Sequence, residues 1–216
     1  METDDTIIFR VAGEGGEGTI SCGEILALAA SRAGLGVYMF RSYPAEIKGG
    51  PAMFQVRVGR ELILSQGTEL DVLVCFNQEN YDLHIKDLKK RGGVLVYDSS
   101  SCVPRPGDAE ILYGFPASEM ARQELRSYLT KNILFLGVLC KLFNFPYDKI
   151  EGILKTRFAK KGEAVLNLNL QAFKRGYDYA GEHFPKTDPY SLSRNTDPRY
   201  STTRISPSSC SPKELI

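Results

Sequence analysis

The sequence has 216 residues, of which 43% are hydrophobic and 25% are charged. These values are close to the average for globular proteins and exclude a chain that is disordered throughout. Lysine and arginine number 27 against 26 aspartate and glutamate, a net charge of +1 that leaves no whole-chain basic excess for nucleic-acid binding. The length fits one domain of ordinary size, or one domain with a tail.

The N-terminus, the apolar runs and the cysteines indicate the cellular compartment. The first five residues are acidic and polar, unlike a secretory signal, and no apolar run approaches the roughly 18 residues of a membrane-spanning helix. The five cysteines form no C-x-x-C pair, and their odd number suits a reducing compartment. We therefore predict a cytoplasmic protein with no membrane and no nucleic-acid partner.

The first forty residues form one predicted unit. Residues 6–12 (TIIFRVA) read as a buried strand, and a glycine-rich loop, residues 13–18, follows them. A helix comes next, since apolar residues recur at the spacing of one helical face: Cys22, Ile25, Leu26, Ala29, Ala30 and Ala33. Gly34 is a common stop signal for a helix, and residues 36–40 form the next strand. This order predicts a β-α-β unit with parallel strands.

Strands and helices continue to residue 184. Residues 53–58 alternate as a strand does, and residues 61–64 are the expected hairpin partner. Further strands are predicted at residues 71–76, 94–97 and 109–113, and helices at residues 81–91, 132–143, 146–161 and 163–182. The predicted fold is a three-layer α/β/α domain whose mainly parallel sheet carries a Rossmann-like glycine loop, a small β-hairpin excursion and C-terminal helices.

Residues 185–216 differ in composition from the rest of the chain. Prolines recur there at positions 185, 189, 198, 207 and 212, among many serines and threonines. Such a segment buries too little apolar area to offset its ordering entropy. We predict one domain over residues 1–184 and a flexible tail or linker over residues 185–216.

The glycine loop is the first candidate site. Gly13, Gly15 and Gly18 fit the pattern G-x-G-x-x-G between a strand and a helix. This pattern indicates a tight turn that directs a helix N-terminus at a phosphate. The alternative is a loop that only packs the helix closely on the sheet, which Glu14 and Glu17 favour because they would repel an anion.

An enzyme that binds NAD through this loop would need a further residue to recognise the ribose. NAD sites carry an acidic residue near the end of the second strand, where this chain has Phe40, Arg41 and Ser42. The sequence thus disfavours NAD, whereas Arg41 would suit the 2′-phosphate of NADP. An NADP-linked dehydrogenase that uses residues 13–18 stays an alternative.

Residues 42–51 (SYPAEIKGGP) form the second candidate site. Gly49 and Gly50 permit backbone conformations barred to other residues, and Pro51 restricts the chain again. In one interpretation a rigid loop beside the glycine loop presents Lys48 to an anionic group, with Arg57 as a second cation. In the other the segment is a plain connection whose charges form a solvated ion pair. The residues alone leave both open.

The motifs taken together carry a family resemblance. The pattern G-x-G-G-x-G after a strand, the helix end A-G-L-G and the segment S-Y-P-A-E-I-K-G-G-P resemble the gamma domain of 2-oxoacid:ferredoxin (acceptor) oxidoreductases. Pyruvate, 2-oxoglutarate and 2-oxoisovalerate members have this domain as a separate subunit or fused ahead of the alpha domain. The resemblance continues through residues 71–74, 115–117, 131–137, 157–162 and 169–177, and covers about residues 6–183.

The resemblance implies an activity shared among several chains. A 2-oxoacid and coenzyme A would give acyl-CoA and carbon dioxide, with electrons passed to ferredoxin. Thiamine diphosphate, Mg²⁺ and iron–sulfur clusters are expected on the alpha and beta subunits, and on a ferredoxin-like delta subunit where present, but not on this chain. The chain would be inactive alone and would help to form the coenzyme A site. Residues 185–216 would then be a native tail or a truncated linker to an alpha domain.

The site residues implied by the resemblance are those of the two signature stretches. They are Gly13, Gly15, Gly16, Gly18, Lys48, Gly49 and Gly50. Lys48 and Arg57 are predicted, from their charge and position, to contact the phosphates of coenzyme A.

The chain offers little other chemistry. A cubane cluster needs about four cysteine ligands, and the cysteines here are scattered; Cys22, Cys75 and Cys140 fit apolar patterns as core thiols. His84 and His183 are predicted to be surface histidines. We predict no catalytic residue and no metal ligand on this chain, and a purely structural scaffold subunit is the second alternative.

Overall fold

The computed structural model describes residues 6–43 and 49–192. The strands are β1 (Thr6–Glu14), β2 (Gly36–Ser42), β3 (Pro51–Gly59), β4 (Val72–Cys75), β5 (Val94–Asp98) and β6 (Ile111–Phe115). The α-helices are α1 (Thr19–Arg32), α2 (Gln78–His84), α3 (Ala117–Gln123), α4 (Lys131–Phe143), α5 (Tyr147–Phe158) and α6 (Glu163–His183). Short 3₁₀ turns follow α2 and α5 and precede α4.

The strands form one mixed sheet in the order β2-β3-β1-β4-β5-β6. Strands β1, β4, β5 and β6 run parallel, whereas β3 is antiparallel to both of its neighbours, β1 and β2. The predicted α/β class with a mainly parallel sheet is therefore confirmed.

The predicted hairpin needs correction. An antiparallel pair, β2 and β3, does exist, but it lies within the main sheet, and residues 61–64 form no strand. The reason is that β3 already has a partner strand on each edge. The chain after β3 instead crosses the sheet face, where Ser65 and Gln66 accept hydrogen bonds from Arg57 and Gln55 of β3.

Alternate residues of the central strands face two separate cores, which gives the three layers. Phe9 and Val74 point to the larger core, which they share with α1, α3, α4, α5 and α6. Ile8 and Leu73 point to the opposite face, where they pack with Tyr81 of α2. Helix α4 is the centre of the larger core, since each of its residues except Lys141 is buried. No helix in the described ranges has the length and apolar character needed to cross a membrane.

Two glycines let α4 and α6 approach closely. A Cβ at Gly137 would lie 2.2 Å from the carbonyl oxygen of Phe173, and one at Gly176 would lie 2.1 Å from that of Leu134. Real Cβ atoms essentially never come that close to backbone oxygen, so both positions require glycine. This crossing fixes the C-terminal helices against the sheet.

Residues 185–192 lie against the domain. The side chain of Asp188 accepts a hydrogen bond from the hydroxyl of Tyr113 at 2.9 Å, and the backbone of Leu192 donates to Phe143 at 2.9 Å. Asp188 and Leu192 are both buried. Residues 193–216 lie outside the described residues, and the division of the chain at residue 184 stays a prediction.

Candidate functional site

The glycine loop connects the end of β1 to the start of α1, at the edge of the sheet where the parallel strands end. Gly16 and Gly18 have φ angles of 100° and 83°, in the region that favours glycine. A Cβ at Gly18 would lie 2.3 Å from Nδ2 of Asn132, so the loop sits tightly against α4. Gly18 is also the N-cap of α1, and no side chain caps this helix.

The second signature stretch joins the loop directly. The backbone of Gly15 donates a hydrogen bond to the carbonyl oxygen of Gly50 at 3.0 Å. Gly49 and Gly50 both have φ of 76°, the glycine-favouring conformation expected from the sequence. Lys48 lies outside the described residues, and its role stays a prediction.

The inner side of the loop is occupied by the carboxylate of Glu17. Its Oε1 accepts hydrogen bonds from Nζ of Lys131 at 2.6 Å and from the hydroxyl of Tyr128 at 2.9 Å. Its Oε2 accepts from the backbone of Glu14 at 2.9 Å and from Nδ2 of Asn77 at 3.3 Å. Four donors from three parts of the chain thus converge on one carboxylate.

Lys131, the first residue of α4, is the cation of this cluster. Its side chain is 2% exposed, and its Nζ also donates to the carbonyl oxygen of Phe76 at 3.3 Å and lies 3.9 Å from Oδ2 of Asp98. Burial by itself lowers the pKa of Lys131, but its hydrogen bonds and charge interactions with Glu17 and Tyr128 raise the pKa above its ordinary value. Lys131 is therefore a buried, charged group that needs its carboxylate partner.

Asp98, the last residue of β5, lies beside this cluster and is hydrogen-bonded to another helix, α3. It is fully buried and accepts hydrogen bonds from the backbone and hydroxyl groups of Ser118, at the start of α3. The carboxyl ends of β1, β4 and β5 are thus linked through Glu17, Lys131 and Asp98. This region is where open α/β sheets bind ligands.

The outer side of the glycine loop faces a cavity of about 400 Å³. Its walls are the loop, the first turn of α1, Tyr43, Ala52 and Arg157 of α5. The first-turn N–H groups of a helix have no intrahelical partners, so they present partial positive charge to this space. A larger cavity of about 660 Å³ lies elsewhere, lined by Leu35, Phe145 and Leu192 among others.

Two arginines flank one acidic residue at the rim of this outer cavity. Arg157 and Arg41 lie 3.2 and 3.4 Å from the two carboxylate oxygens of Glu24 on α1. All three side chains are substantially exposed. The two guanidinium groups together exceed the charge of Glu24, and the carboxylate of Glu14, which also lines the cavity, balances that excess.

The structure brings together most of the predicted site residues but not Arg57. The glycines of both signature stretches meet at one end of the sheet. Arg57 pairs with Ile8, six positions further along the sheet from the pairing of Pro51 with Glu14, which is roughly 20 Å away. There Arg57 donates to Thr6 at 3.1 Å and to Ser65 at 3.0 Å.

Five residues of this cluster were not predicted as site residues: Glu17, Asn77, Asp98, Tyr128 and Lys131. Arg157 on the outer side was not predicted either. Lys131 does carry one sequence signal, since it begins a mostly apolar helix that is buried almost completely. The other members have no local signal, because their partners are distant in sequence.

The described cysteines and histidines form no metal site. Cys22, Cys75, Cys102 and Cys140 are buried free thiols, and no group of three or more His, Cys, Asp and Glu side chains in the described ranges could hold a metal ion. The burial of Cys22, Cys75 and Cys140 agrees with the prediction of core thiols.

His84 departs from the prediction of a surface histidine. It is only partly exposed and lies 3.2 Å from Nη1 of Arg10. Burial, followed by the charge of Arg10, lowers the pKa of His84 to about 4. His183 is exposed, as predicted.

Comparison with known proteins places the chain in a family. Residues 8–179 match the family described as Pyruvate ferredoxin/flavodoxin oxidoreductase. The 2-oxoglutarate synthase subunit KorC of Methanocaldococcus jannaschii is 30% identical over 81% of this chain and 94% of its own length. The pyruvate synthase subunit PorC of Thermotoga maritima is 29% identical over 79% of this chain and 92% of its own. The chain belongs to the pyruvate ferredoxin/flavodoxin oxidoreductase family.

Solved structures agree with this assignment. The gamma subunit of a keto/oxoacid ferredoxin oxidoreductase from Geobacter sulfurreducens is 31% identical, with a TM-score of 0.66, over 82% of this chain and 99% of that one. The 2-oxoglutarate:ferredoxin oxidoreductase of Magnetococcus marinus, solved with 2-oxoglutarate, coenzyme A and succinyl-CoA bound, is 41% identical with a TM-score of 0.82. This chain matches over 88% of its length but spans only about a third (33%) of the Magnetococcus chain.

Proposed function

We propose that this chain is the gamma component of a 2-oxoacid:ferredoxin oxidoreductase and that the outer cavity of its glycine loop helps to bind coenzyme A. The observation that carries the proposal is the convergence of the loop, the uncapped N-terminus of α1 and Arg157 on one open space. The gamma-type subunit role accords with the relatives named above, and coenzyme A is bound in the Magnetococcus enzyme.

The outer cavity fits the chemistry of coenzyme A. The molecule carries several phosphate charges, which an unpaired helix N-terminus and an arginine both attract. Tyr43 is 58% exposed on the wall of this cavity, where an aromatic ring can stack on a nucleobase. Arg41 and Arg157 together offset the charge of Glu24, which would otherwise repel a phosphate.

Lys48 belongs to the proposed site by its place in the chain. It precedes Gly49 and Gly50, and Gly50 is hydrogen-bonded to the glycine loop at 3.0 Å. We propose that Lys48 contacts a phosphate at the cavity, as the family resemblance implies. Arg57 has no comparable position, since it lies at the opposite end of β3.

The remaining chemistry is assigned to partner chains. Thiamine diphosphate with Mg²⁺ supplies the decarboxylation, and iron–sulfur clusters carry the electrons toward ferredoxin. The described part of this chain has no ligand set for a metal cluster, which supports placing these groups on alpha, beta and, where present, delta subunits. Its free thiols suit the reducing cytoplasm in which we propose that the complex works.

Reconstitution of the complex provides the test. The purified chain should show no 2-oxoacid oxidation, and addition of its partner chains should give coenzyme A-dependent reduction of ferredoxin. Partner chains without this subunit should lose most of that activity. Turnover by the single chain, or full activity of the partners in its absence, would contradict the proposal.

A further inference from the structure

The crevice between the carboxyl ends of β1 and β4 is the place where an open α/β sheet of this kind offers a phosphate site. The strand order changes direction at β1, since α1 leads to β2 on one side and the chain later returns to β4 on the other. Ligands of doubly wound folds bind at such a switch point, often with a phosphate against the glycine loop. In this protein the inner side of the loop already holds an anion, the carboxylate of Glu17.

The groups around Glu17 are those expected of an anion site. A backbone N–H from Glu14, an amide from Asn77, a hydroxyl from Tyr128 and the ammonium of Lys131 all donate to its two oxygens. Their distances range from 2.6 to 3.3 Å. A phosphate oxygen uses the same kinds of donor, so the carboxylate and a phosphate would compete for one place.

The surrounding charges allow only one anion there. Among the described residues, Lys131 is the cation within contact distance of Glu17, and it already lies 3.9 Å from the buried carboxylate of Asp98. The side chain of Glu17 is 11% exposed, and that of Lys131 is 2% exposed. A phosphate entering beside Glu17 would therefore add negative charge to a poorly solvated pair of carboxylates, which is strongly unfavourable.

We propose that Glu17 is a built-in anion that fills the phosphate position of the glycine loop and so keeps dinucleotides and other phosphate ligands out of the crevice between β1 and β4. Phosphate ligands then have access only to the outer side of the loop. Glu17 is a specificity-determining residue in this interpretation, and Lys131 positions its carboxylate. The inference concerns the chain by itself and holds whether or not the outer cavity binds coenzyme A.

Removal of the carboxylate should turn the inner side of the loop into a vacant anion site. In Glu17→Ala, Lys131 and the other three donors remain but have lost their acceptor, and the protein should be less stable than the wild type. Sodium formate or inorganic phosphate should then raise the melting temperature of Glu17→Ala by about 5 °C near saturation, at constant ionic strength set with chloride. The rise should be clearly smaller in the wild type, where only the outer side of the loop is open to these anions.

Two variants serve as matched controls. Glu17→Gln fills the same volume without the charge, and its melting temperature should not respond to formate. Glu17→Ala combined with Lys131→Met lacks the cation, and the response should be lost there as well. Inorganic pyrophosphate should not shift NMR signals of Lys131 or Tyr128 in the wild type, although the outer side of the loop stays open to it.

Several results would overturn the proposal. One is an equal response of the wild type and Glu17→Ala to formate or phosphate. Another is a shift of the Lys131 or Tyr128 signals of the wild type by pyrophosphate. If Glu17→Ala is recovered only unfolded, refolding in formate should restore it, and failure of refolding with both formate and phosphate also counts against the proposal.

Discussion

Nζ of Lys131 lies 2.6 Å from Oε1 of Glu17, although 114 residues separate the two in sequence. The pair joins the loop after the first strand to the first residue of the central helix α4. It is buried on the lysine side and nearly buried on the glutamate side, so each charge depends on the other. The glycine loop is thereby fixed to the helical core as well as to the sheet.

Lys131→Met should destabilise the protein by about 3 kcal/mol or more, because it leaves the carboxylate of Glu17 without its cation. Urea unfolding of the free chain measures this difference. In a Glu17→Gln background the same substitution should cost clearly less, since no uncompensated charge remains. Equal costs in the two backgrounds would mean that the ion pair contributes nothing to stability.

The glycine loop should tolerate a side chain at Gly16 much better than at Gly18. Both have positive φ, which costs an alanine about 1–2 kcal/mol. A Cβ at Gly16 meets nothing within 4 Å, whereas one at Gly18 would lie 2.3 Å from Asn132. We expect Gly18→Ala to lower the free energy of unfolding well beyond that strain alone, and Gly16→Ala to lower it by the strain only. Similar losses for both variants would contradict the tight contact between the loop and α4.

A second matched pair of glycines compares Gly137, at the crossing of α4 and α6, with Gly152 on α5. Gly137→Ala should be strongly destabilising, because its Cβ would lie 2.2 Å from the backbone oxygen of Phe173. Gly152→Ala on α5 should stabilise the protein by up to about 1 kcal/mol, since a Cβ there meets no atom within 4 Å and alanine favours helix. Melting curves of the two variants measure whether each substitution destabilises or stabilises the protein. A Gly137→Ala variant as stable as the wild type would show that α4 and α6 can move apart.

His84 should make the protein less stable in mild acid. Burial and the charges of Arg10 and Lys86 lower its pKa to about 4, against the opposing effect of Asp87, while an unfolded histidine titrates near 6.5. Between these values the unfolded chain binds a proton that the folded chain does not, so stability falls as the pH is lowered from about 6.5 to about 4.

Replacement of this histidine by a group that does not titrate should reduce that dependence. His84→Asn keeps an acceptor for Arg10, and its melting temperature should fall less than that of the wild type between pH 7 and pH 4.5. His183→Asn is the control, because it removes the other histidine of the chain, which is exposed. If His84→Asn retains the full wild-type slope, acid sensitivity arises from other groups.

Sequence patterns predicted the local structure but missed contacts between residues that are distant in sequence. The β1–loop–α1 unit follows from an apolar run, a glycine pattern and a 3.6-residue period, all within about thirty residues. The insertion of β3 between β1 and β2 depends on pairing across the sheet, which no local pattern encodes. In the same way Glu17 was predicted to be an unfavourable neighbour of an anion, whereas Lys131 from α4 makes it the anion itself.

The same difference between local and distant contacts explains why Arg57 was predicted at the site and Arg157 was not. Position in sequence favoured Arg57 as a phosphate contact, because β3 follows Gly50 directly. In the fold β3 runs away from the loop, and Arg157, one hundred residues after Arg57, lies at the outer cavity instead. We therefore expect that substitution of Arg157, but not of Arg57, weakens the binding of coenzyme A by the assembled enzyme.

Arg157→Ala should raise the KM for coenzyme A by about ten-fold or more, because a hydrogen bond to a charged group contributes about 1.5–3 kcal/mol. Lys48→Ala should raise it as well, and Arg57→Ala should leave it unchanged. Turnover at saturating coenzyme A should stay near the wild-type value in all three, since none of these side chains is assigned a chemical step. A rise with Arg57→Ala but not with Arg157→Ala would move the binding site away from the outer cavity. An unchanged KM in all three variants would instead favour a scaffold role for this subunit, with coenzyme A held by its partners.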